Sequence, residues 1–151
     1  MDVKLYSGLI IKKNAGKRYF GKGFVAYDRV IFEIYNKLAQ IEIGDNCVLS
    51  YGVIVSCNEK IVIGNNVWIG EYTSIRDTTH VFNKRIPMGA HMDISEIIRI
   101  GNNVWIGRGC LILPGTQIGD NVIIAANSVV KGDVQSNSLY GGCPAKFIKH
   151  L

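Results

Sequence analysis

Three histidines and four cysteines are the side chains of this sequence with the widest chemical reach. Two of the histidines, His80 and His91, fall in one short stretch, residues 77–97, and the third, His150, stands near the end. Imidazole titrates close to neutral pH, so a histidine held in a cleft can take up and return a proton. It is also a metal ligand, but a catalytic zinc held by histidines alone needs three of them converging on one point. Only His80 and His91 lie near enough in the chain to be considered. Cys47, Cys57, Cys110 and Cys143 show no C-x-x-C spacing, so neither a zinc knuckle nor a disulfide framework is expected. Proton transfer at residues 77–97 is therefore the chemistry to look for, with no metal.

What surrounds that stretch is unusually regular. From Ile100 an aliphatic anchor recurs every sixth residue, at Ile100, Ile106, Ile112, Ile118, Ile124 and Val130. The fifth place of each hexad is small or short, at Val104, Cys110, Thr116, Val122, Ser128 and Val134. Helices place apolar residues three and four apart and single strands two apart, so a period of six fits neither. It fits short strands joined by corners, three of which close a triangular turn of about 18 residues, the left-handed parallel β-helix signalled by hexapeptide repeats. The same phrase occurs earlier, at Ile43, Leu49 and Val55 and at Ile63, Ile69 and Ile75. The longer step between Ile43 and Ile63 implies a two-residue corner insertion near Asn58-Glu59-Lys60. Gly-Asn/Asp-Asn triplets at 44–46, 64–66, 101–103 and 119–121 supply corners, because these residues tolerate left-handed backbone angles.

The expectation is thus an all-β chain, a single domain of about four to five coils over residues 41–134. Residues 1–40 form an irregular cap, with weak anchors at Val25 and Ile31, and residues 135–151 form a short tail. The break at 77–97 should protrude as a loop, since solenoids carry insertions on one face and use them for binding. Val67, Trp68, Trp105 and Ile123 are expected on flat outer sides, where three prisms packed side by side would cover them, giving a homotrimer.

At 151 residues and 48% apolar content the chain can bury a continuous core. No apolar run reaches the length of a membrane span, and no secretory h-region opens the sequence, so a cytoplasmic protein is expected. The formal net charge of +5 favours an anionic ligand or surface. Without a basic helix or aromatics interleaved with cations, nucleic acid is not the expected partner.

Four passages in order, Ile100-Gly-Asn-Asn-Val-Trp-Ile-Gly107, Leu113-Pro-Gly-Thr-Gln-Ile-Gly-Asp-Asn121, Ala125-Ala-Asn-Ser-Val-Val-Lys131 and Gly141-Gly-Cys-Pro-Ala-Lys146, resemble the C-terminal signature of the hexapeptide-repeat acetyltransferases. The nearest branch is that of the maltose/galactoside and polysaccharide O-acetyltransferases. The resemblance implies a trimer binding acetyl-CoA in a groove between neighbouring subunits. It implies His80 as general base, taking the proton of an acceptor hydroxyl; Asp77, three residues earlier, would either orient the imidazole or be a corner residue bonding its own backbone. Trp105 would wall the pocket, N–H groups at Gly107 and Arg108 would cradle the thioester oxygen, and Ala125 and Ala126 would admit the pantetheine arm. Lys131, Lys146 and Lys149 would meet the phosphates. The chain lacks the long N-terminal helical segment of the sugar-acetylating enzymes. Tyr51, Asn83, Lys84 and Arg85 are the candidate acceptor contacts.

The leading expectation is acetyl transfer from acetyl-CoA to a sugar hydroxyl of a cell-surface polysaccharide or its precursor. Transfer to the amine of an amino sugar or nucleotide-sugar keeps the same fold. A zinc hydratase of the γ-carbonic-anhydrase kind and a silent scaffold complete the readings the sequence leaves open.

Overall fold

The computed structural model describes residues 4–5, 10–12, 16–87 and 93–151. Short strands wind through three parallel ladders in strict rotation, making a β-solenoid of six turns. The first face stacks β1 (Lys4–Leu5), β4 (Val25–Ala26), β7 (Val48–Leu49), β10 (Val67–Ile69), β15 (Val104–Ile106), β18 (Val122–Ile124) and β21 (Ser138–Gly142). The second stacks β2 (Ile10–Lys12), β5 (Ile31–Ile34), β8 (Ile54–Cys57), β11 (Ser74–Arg76), β16 (Leu111–Ile112) and β19 (Val129–Val130). The third stacks β3 (Lys17–Phe20), β6 (Gln40–Ile43), β9 (Lys60–Ile63), β14 (Ile98–Ile100), β17 (Gln117–Ile118) and β20 (Asp133–Val134).

The hexad anchors point inward as their spacing requires. Ile43, Ile63, Ile69, Ile75, Ile100, Ile106, Ile112, Ile118 and Ile124 are all buried in one continuous core. The fifth places are buried too. Where such a place is polar, its hydroxyl bonds a corner carbonyl: Thr73 Oγ1 donates to Gly107 O at 2.9 Å, Thr116 Oγ1 to Leu113 O at 2.7 Å and Ser128 Oγ to Ala125 O at 2.6 Å. A hydroxyl so bonded costs little to bury.

The corner between the third and first faces is the most repetitive. Asn46, Asn66, Asn103, Asn121 and Asn137 all hold φ between 54° and 57°. Their amides stack, with Asn103 Nδ2 donating to Asn121 Oδ1 at 2.8 Å and Asn121 Nδ2 to Asn137 Oδ1 at 2.9 Å. A second ladder runs beside it: Asp45 N donates to Asn65 Oδ1 (2.8 Å), Asn65 N to Asn102 Oδ1 (2.9 Å) and Asn102 N to Asp120 Oδ1 (2.6 Å). Glycine precedes the first four of these corners, at 44, 64, 101 and 119, because the next turn presses close: a Cβ on Gly101 would lie 2.4 Å from Asp120 Oδ1.

Several expectations need correcting. The coils number six rather than four to five, because the strands β1 to β5, before residue 40, already stack on the same three ladders as the rest. Val25 and Ile31 are not the anchors there. Ala26 and Phe32, one position on, face inward, and in a strand a one-residue shift exchanges core for surface. Val67 is buried by the same rule, while Trp68 beside it is 62% exposed. The tail does not leave the solenoid at once: β21 extends the first face, and β22 (Ala145–His150) folds back antiparallel on it.

Candidate functional site

The second-to-third-face corner is the variable one. It holds Tyr35–Ala39 in one turn, the Asn58-Glu59 insertion in the next, and then the whole excursion between β11 and β14. That excursion is rooted by an antiparallel pair, β12 (Thr78–His80) against β13 (Asp93–Ser95), with Thr78 opposite Ser95 and His80 opposite Asp93. Below the pair, the buried Asp77 carboxylate accepts the N–H groups of Asn58 and Glu59, each at 2.8 Å, and the Thr78 hydroxyl at 2.8 Å. The Cys57 thiol donates to it as well, at 3.4 Å. Asn58 Nδ2 reaches Ser95 Oγ at 2.9 Å, and the Thr78 and Ser95 hydroxyls meet at 3.0 Å. The histidine therefore stands on a braced platform.

The carboxylate that engages the imidazole is Asp93's, 2.6 Å from His80 Nδ1. Neither role expected of Asp77 is the one it has: its carboxylate holds the Asn58-Glu59 corner of the preceding turn rather than its own backbone, and the imidazole contact belongs to Asp93. Asp77 continues the inward alternation of Thr73 and Ile75, so its side chain turns into the coil, away from the exposed His80. Asp93 is adjacent only through strand pairing, 13 residues on. The one signal for it was the Thr-Thr-His and Asp-Ile-Ser stretches flanking the loop, short enough to be an antiparallel rung. An ionised carboxylate can only accept, so Nδ1 carries the proton and Nε2 is the basic nitrogen. The two residues line a pocket of about 430 Å³ with Tyr35, Asn58, Arg76, Thr78 and Thr79.

A second group assembles on the first-to-second-face edge. Gly107, Arg108, Ala125 and Ala126 border a groove of about 540 Å³, walled by Trp68 and Trp105. Gly107 is needed for close approach, since a Cβ there would sit 2.6 Å from Ala126 N. Its N–H is not available to a ligand: it donates to Ile124 O at 2.8 Å, as Ala125 N does to Tyr140 O at 2.8 Å. Among the described residues no main-chain bond takes the N–H groups of Arg108 and Ala126. Tyr51 lies on the same edge two turns earlier, its ring edge-on to Tyr72 with centroids 5.4 Å apart and the Arg29 guanidinium 5.4 Å from its centre. A larger hollow, about 900 Å³, lies along the outside of the first face between Trp68, Trp105 and the asparagine ladder. It holds no titratable side chain.

The remaining candidates scatter. Lys146 and Lys149 lie exposed on β22, opposite Gly141 and Leu139, whereas Lys131 is on the second-to-third-face corner of the last turn. Asn83, Lys84 and Arg85 follow β12 in a turn closed by Arg85 N donating to Asn83 Oδ1 at 3.0 Å. His91 lies outside the described residues. His150 ends β22 with its ring 4.9 Å from that of Phe147. Cys47, Cys57 and Cys110 are buried and unbridged, and burial pushes each thiol up. Cys57 is pushed furthest, the Asp77 carboxylate adding to desolvation. Among the described residues no three His, Cys, Asp or Glu side chains converge as metal ligands, and no helix is long and apolar enough to cross a membrane.

Residues 98–132 match the family described as bacterial transferase hexapeptide (six repeats), and residues 41–57 match the hexapeptide repeat of succinyl-transferase. The chain is 30% identical over 145 residues to the O-acetyl transferase WbbJ of Escherichia coli K12, named for lipopolysaccharide biosynthesis, covering 91% of this chain and 74% of that protein. The chain belongs to the hexapeptide-repeat acetyltransferases. Its kinship with solved members of these acetyltransferases is close: VCA0836 of Vibrio cholerae superposes with a TM-score of 0.78 at 31% identity, over 87% of this chain and 73% of that one. VCA0836 has also been solved in complex with acetyl-coenzyme A, and that structure matches with a TM-score of 0.71 at 30% identity over 86% of this chain and 72% of that one. The galactoside O-acetyltransferase of Escherichia coli K12 is 34% identical over 75% of this chain, which spans 55% of that enzyme. As a hexapeptide-repeat acetyltransferase, the chain is an acyltransferase.

Proposed function

We propose that this acetyltransferase moves the acetyl group of acetyl-CoA to a sugar hydroxyl, of a cell-surface polysaccharide or its precursor, at sites shared between the subunits of a homotrimer. One observation carries the shared site. The His80–Asp93 pocket and the Arg108–Ala126 groove lie on different edges of the prism, a full face apart, and have no lining residue in common. One chain alone does not bring base and groove together, whereas a neighbour's second corner laid against the first face would. The outward row of that face supports such packing: Val25, Val48, Trp68, Trp105, Ile123 and Leu139 stand in register, and Trp68 and Trp105 are 62% and 57% exposed. Apolar rows of this size on a small protein mark a protein contact.

In this reading Nε2 of His80 takes the hydroxyl proton as the acceptor oxygen attacks the thioester carbonyl. The new C–O bond forms, the C–S bond breaks, and the imidazolium returns its proton to the departing sulfur. Asp93 is a positioning residue, fixing the tautomer and favouring the positive ring that forms. The N–H groups of Arg108 and Ala126 would receive the charge that develops on the carbonyl oxygen. Lys146, opposite Gly141 near the Ala125 edge, and Lys149, opposite Leu139 on the first face, would meet phosphate as point charges, while Lys131 belongs to another edge and has the weakest claim. Cytoplasmic residence is part of the proposal, and the unbridged cysteines support it.

The test is thiol release from acetyl-CoA with neutral sugar and amino-sugar acceptors. Turnover with hydroxyl acceptors, lowered about 10²–10⁴-fold in His80→Ala with CoA affinity unchanged, is the expected result. Equal turnover in both proteins removes His80 from the mechanism, and transfer to amines alone selects the N-acyl reading.

A further inference from the structure

Arg76 stands out among the charged groups around the base, because among the described residues it has one loose ion pair, with Glu33, and no side-chain hydrogen bond. The guanidinium carries five N–H donors in a planar fork. Among the described residues its nearest carboxylate is Glu33, at 3.6 Å, beyond hydrogen-bond distance. The side chain is 43% exposed and lines the same pocket as His80 and Asp93.

The two carboxylates nearest it among those described on this side of the coil, Asp93 and Glu33, are by contrast already engaged. Asp93 is bonded to the imidazole at 2.6 Å, and Glu33 accepts the Tyr35 hydroxyl at 2.9 Å and is largely covered, with 17% of its side chain exposed. Glu33, Ser56 and Arg76 occupy consecutive rungs of the second face, so Glu33 lies two rungs from the arginine, with Ser56 between them. The Ser56 hydroxyl is buried there without a hydrogen-bond partner among the described residues, so it takes up none of the guanidinium's donors. A neutral hydroxyl-bearing ring would need no such charged group, since the Thr79 hydroxyl in the same pocket is a sufficient kind of partner for it. A planar, permanently charged fork is the group that suits carboxylate or phosphate oxygens in pairs.

We infer that the acceptor entering the His80 pocket carries an anionic group, a carboxylate or a phosphate ester, that Arg76 grips while a hydroxyl of the same molecule is presented to the base. This deepens the acetyl-transfer reading and rests on it. Arg76 is then the residue that sets acceptor charge, and its effect belongs in acceptor binding rather than in the chemical step.

The experiment compares matched acceptors with the full-length protein: methyl hexopyranosides, the corresponding methyl hexuronides, and the corresponding hexoside 6-phosphates, each with acetyl-CoA and thiol release as the readout. The expected result is a kcat/KM at least about tenfold higher for one anionic series than for its neutral counterpart, weakening as salt is raised. Which series gains tells carboxylate from phosphate. Arg76→Gln should erase the preference by raising KM for the anionic series far more than for the neutral one, and keep the affinity for CoA. Arg76→Lys should recover part of it, since charge is kept and the fork is lost. Equal use of neutral and anionic acceptors by the wild type overturns the inference while leaving acetyl transfer standing. So does an Arg76→Gln loss that is the same for both. Absence of transfer to every acceptor, with His80→Ala indistinguishable from the parent, sinks acetyl transfer and the anionic acceptor with it.

Discussion

His80 and Asp93 face each other across a single antiparallel rung, the only two-stranded sheet the described residues form. Their 2.6 Å contact closes a link between residues on opposite arms of the excursion. Asp77, three positions from His80, is spent on Asn58, Glu59, Thr78 and Cys57 instead. The two aspartates should therefore fail differently. Asp93→Asn should cut kcat about tenfold or more with KM for acetyl-CoA unchanged, with partial recovery in Asp93→Glu. The imidazole Nδ1–H resonance should move upfield in the amide variant. Asp77→Asn should instead lower stability by about 2–4 kcal/mol in a denaturant titration, because an amide donor replaces an acceptor among four donors in a buried site.

A site shared between chains has an arithmetical signature. His80→Ala and Ala126→Trp proteins should each be inactive, the first lacking the base and the second filling the groove. Co-expressed in equal amounts, they should recover about a quarter of wild-type activity, since half the interfaces supply an intact base and half of those an intact groove. Mixtures that stay inactive would place base and groove in the same chain.

The exposed tryptophan of β10 offers a test of assembly apart from catalysis. Trp68→Glu puts a charge in the middle of the outward apolar row, and burying it unpaired would cost several kcal/mol. The variant should sediment as a monomer or show a strongly raised dissociation constant, with its circular dichroism unchanged. A Trp68→Glu protein with wild-type mass in solution would show that this face is not the contact.

Thiol chemistry should follow burial. Cys143 alone is exposed, so a thiol reagent should modify one cysteine in the native protein and four after denaturation. Cys47, Cys57 and Cys110 are held protonated in the fold, where burial raises each thiol. Unfolded thiols ionise above about pH 8.5, so there the unfolded state binds fewer protons and stability falls with rising pH. Each buried thiol contributes a slope of up to about 1.4 kcal/mol per pH unit. Replacing all three with alanine should flatten the decline between about pH 8.5 and 10, measured by denaturant midpoints, even though the neutral-pH stability drops.

The solenoid was legible because one spacing rule governs every turn that keeps it. Ile100, Ile106 and Ile112 predict their own burial, and the Asn58-Glu59 insertion lies where the longer step demands. The first two turns were obscured because Phe24, Ala26, Val30, Phe32, Ile34 and Ala39 vary in size and their corner is longer, so the period blurs while the alternation survives. His80 stood out as a histidine inside the one interruption. Asp93 and Arg76 did not, because what makes them matter is adjacency across a rung and beside a pocket. Gly107 is the opposite case: its motif is plain, but only the ladder shows that its N–H is already taken.

The reversed strand β22 has a consequence for the length of the molecule. A stack of near-identical rungs would otherwise offer its last strand to another copy, and parallel addition could continue without limit. Lying antiparallel on β21, with Lys146 and Lys149 along it, β22 presents an edge of the wrong polarity and the wrong charge for that addition. On the first face, the ending works as a stopper against fibril growth.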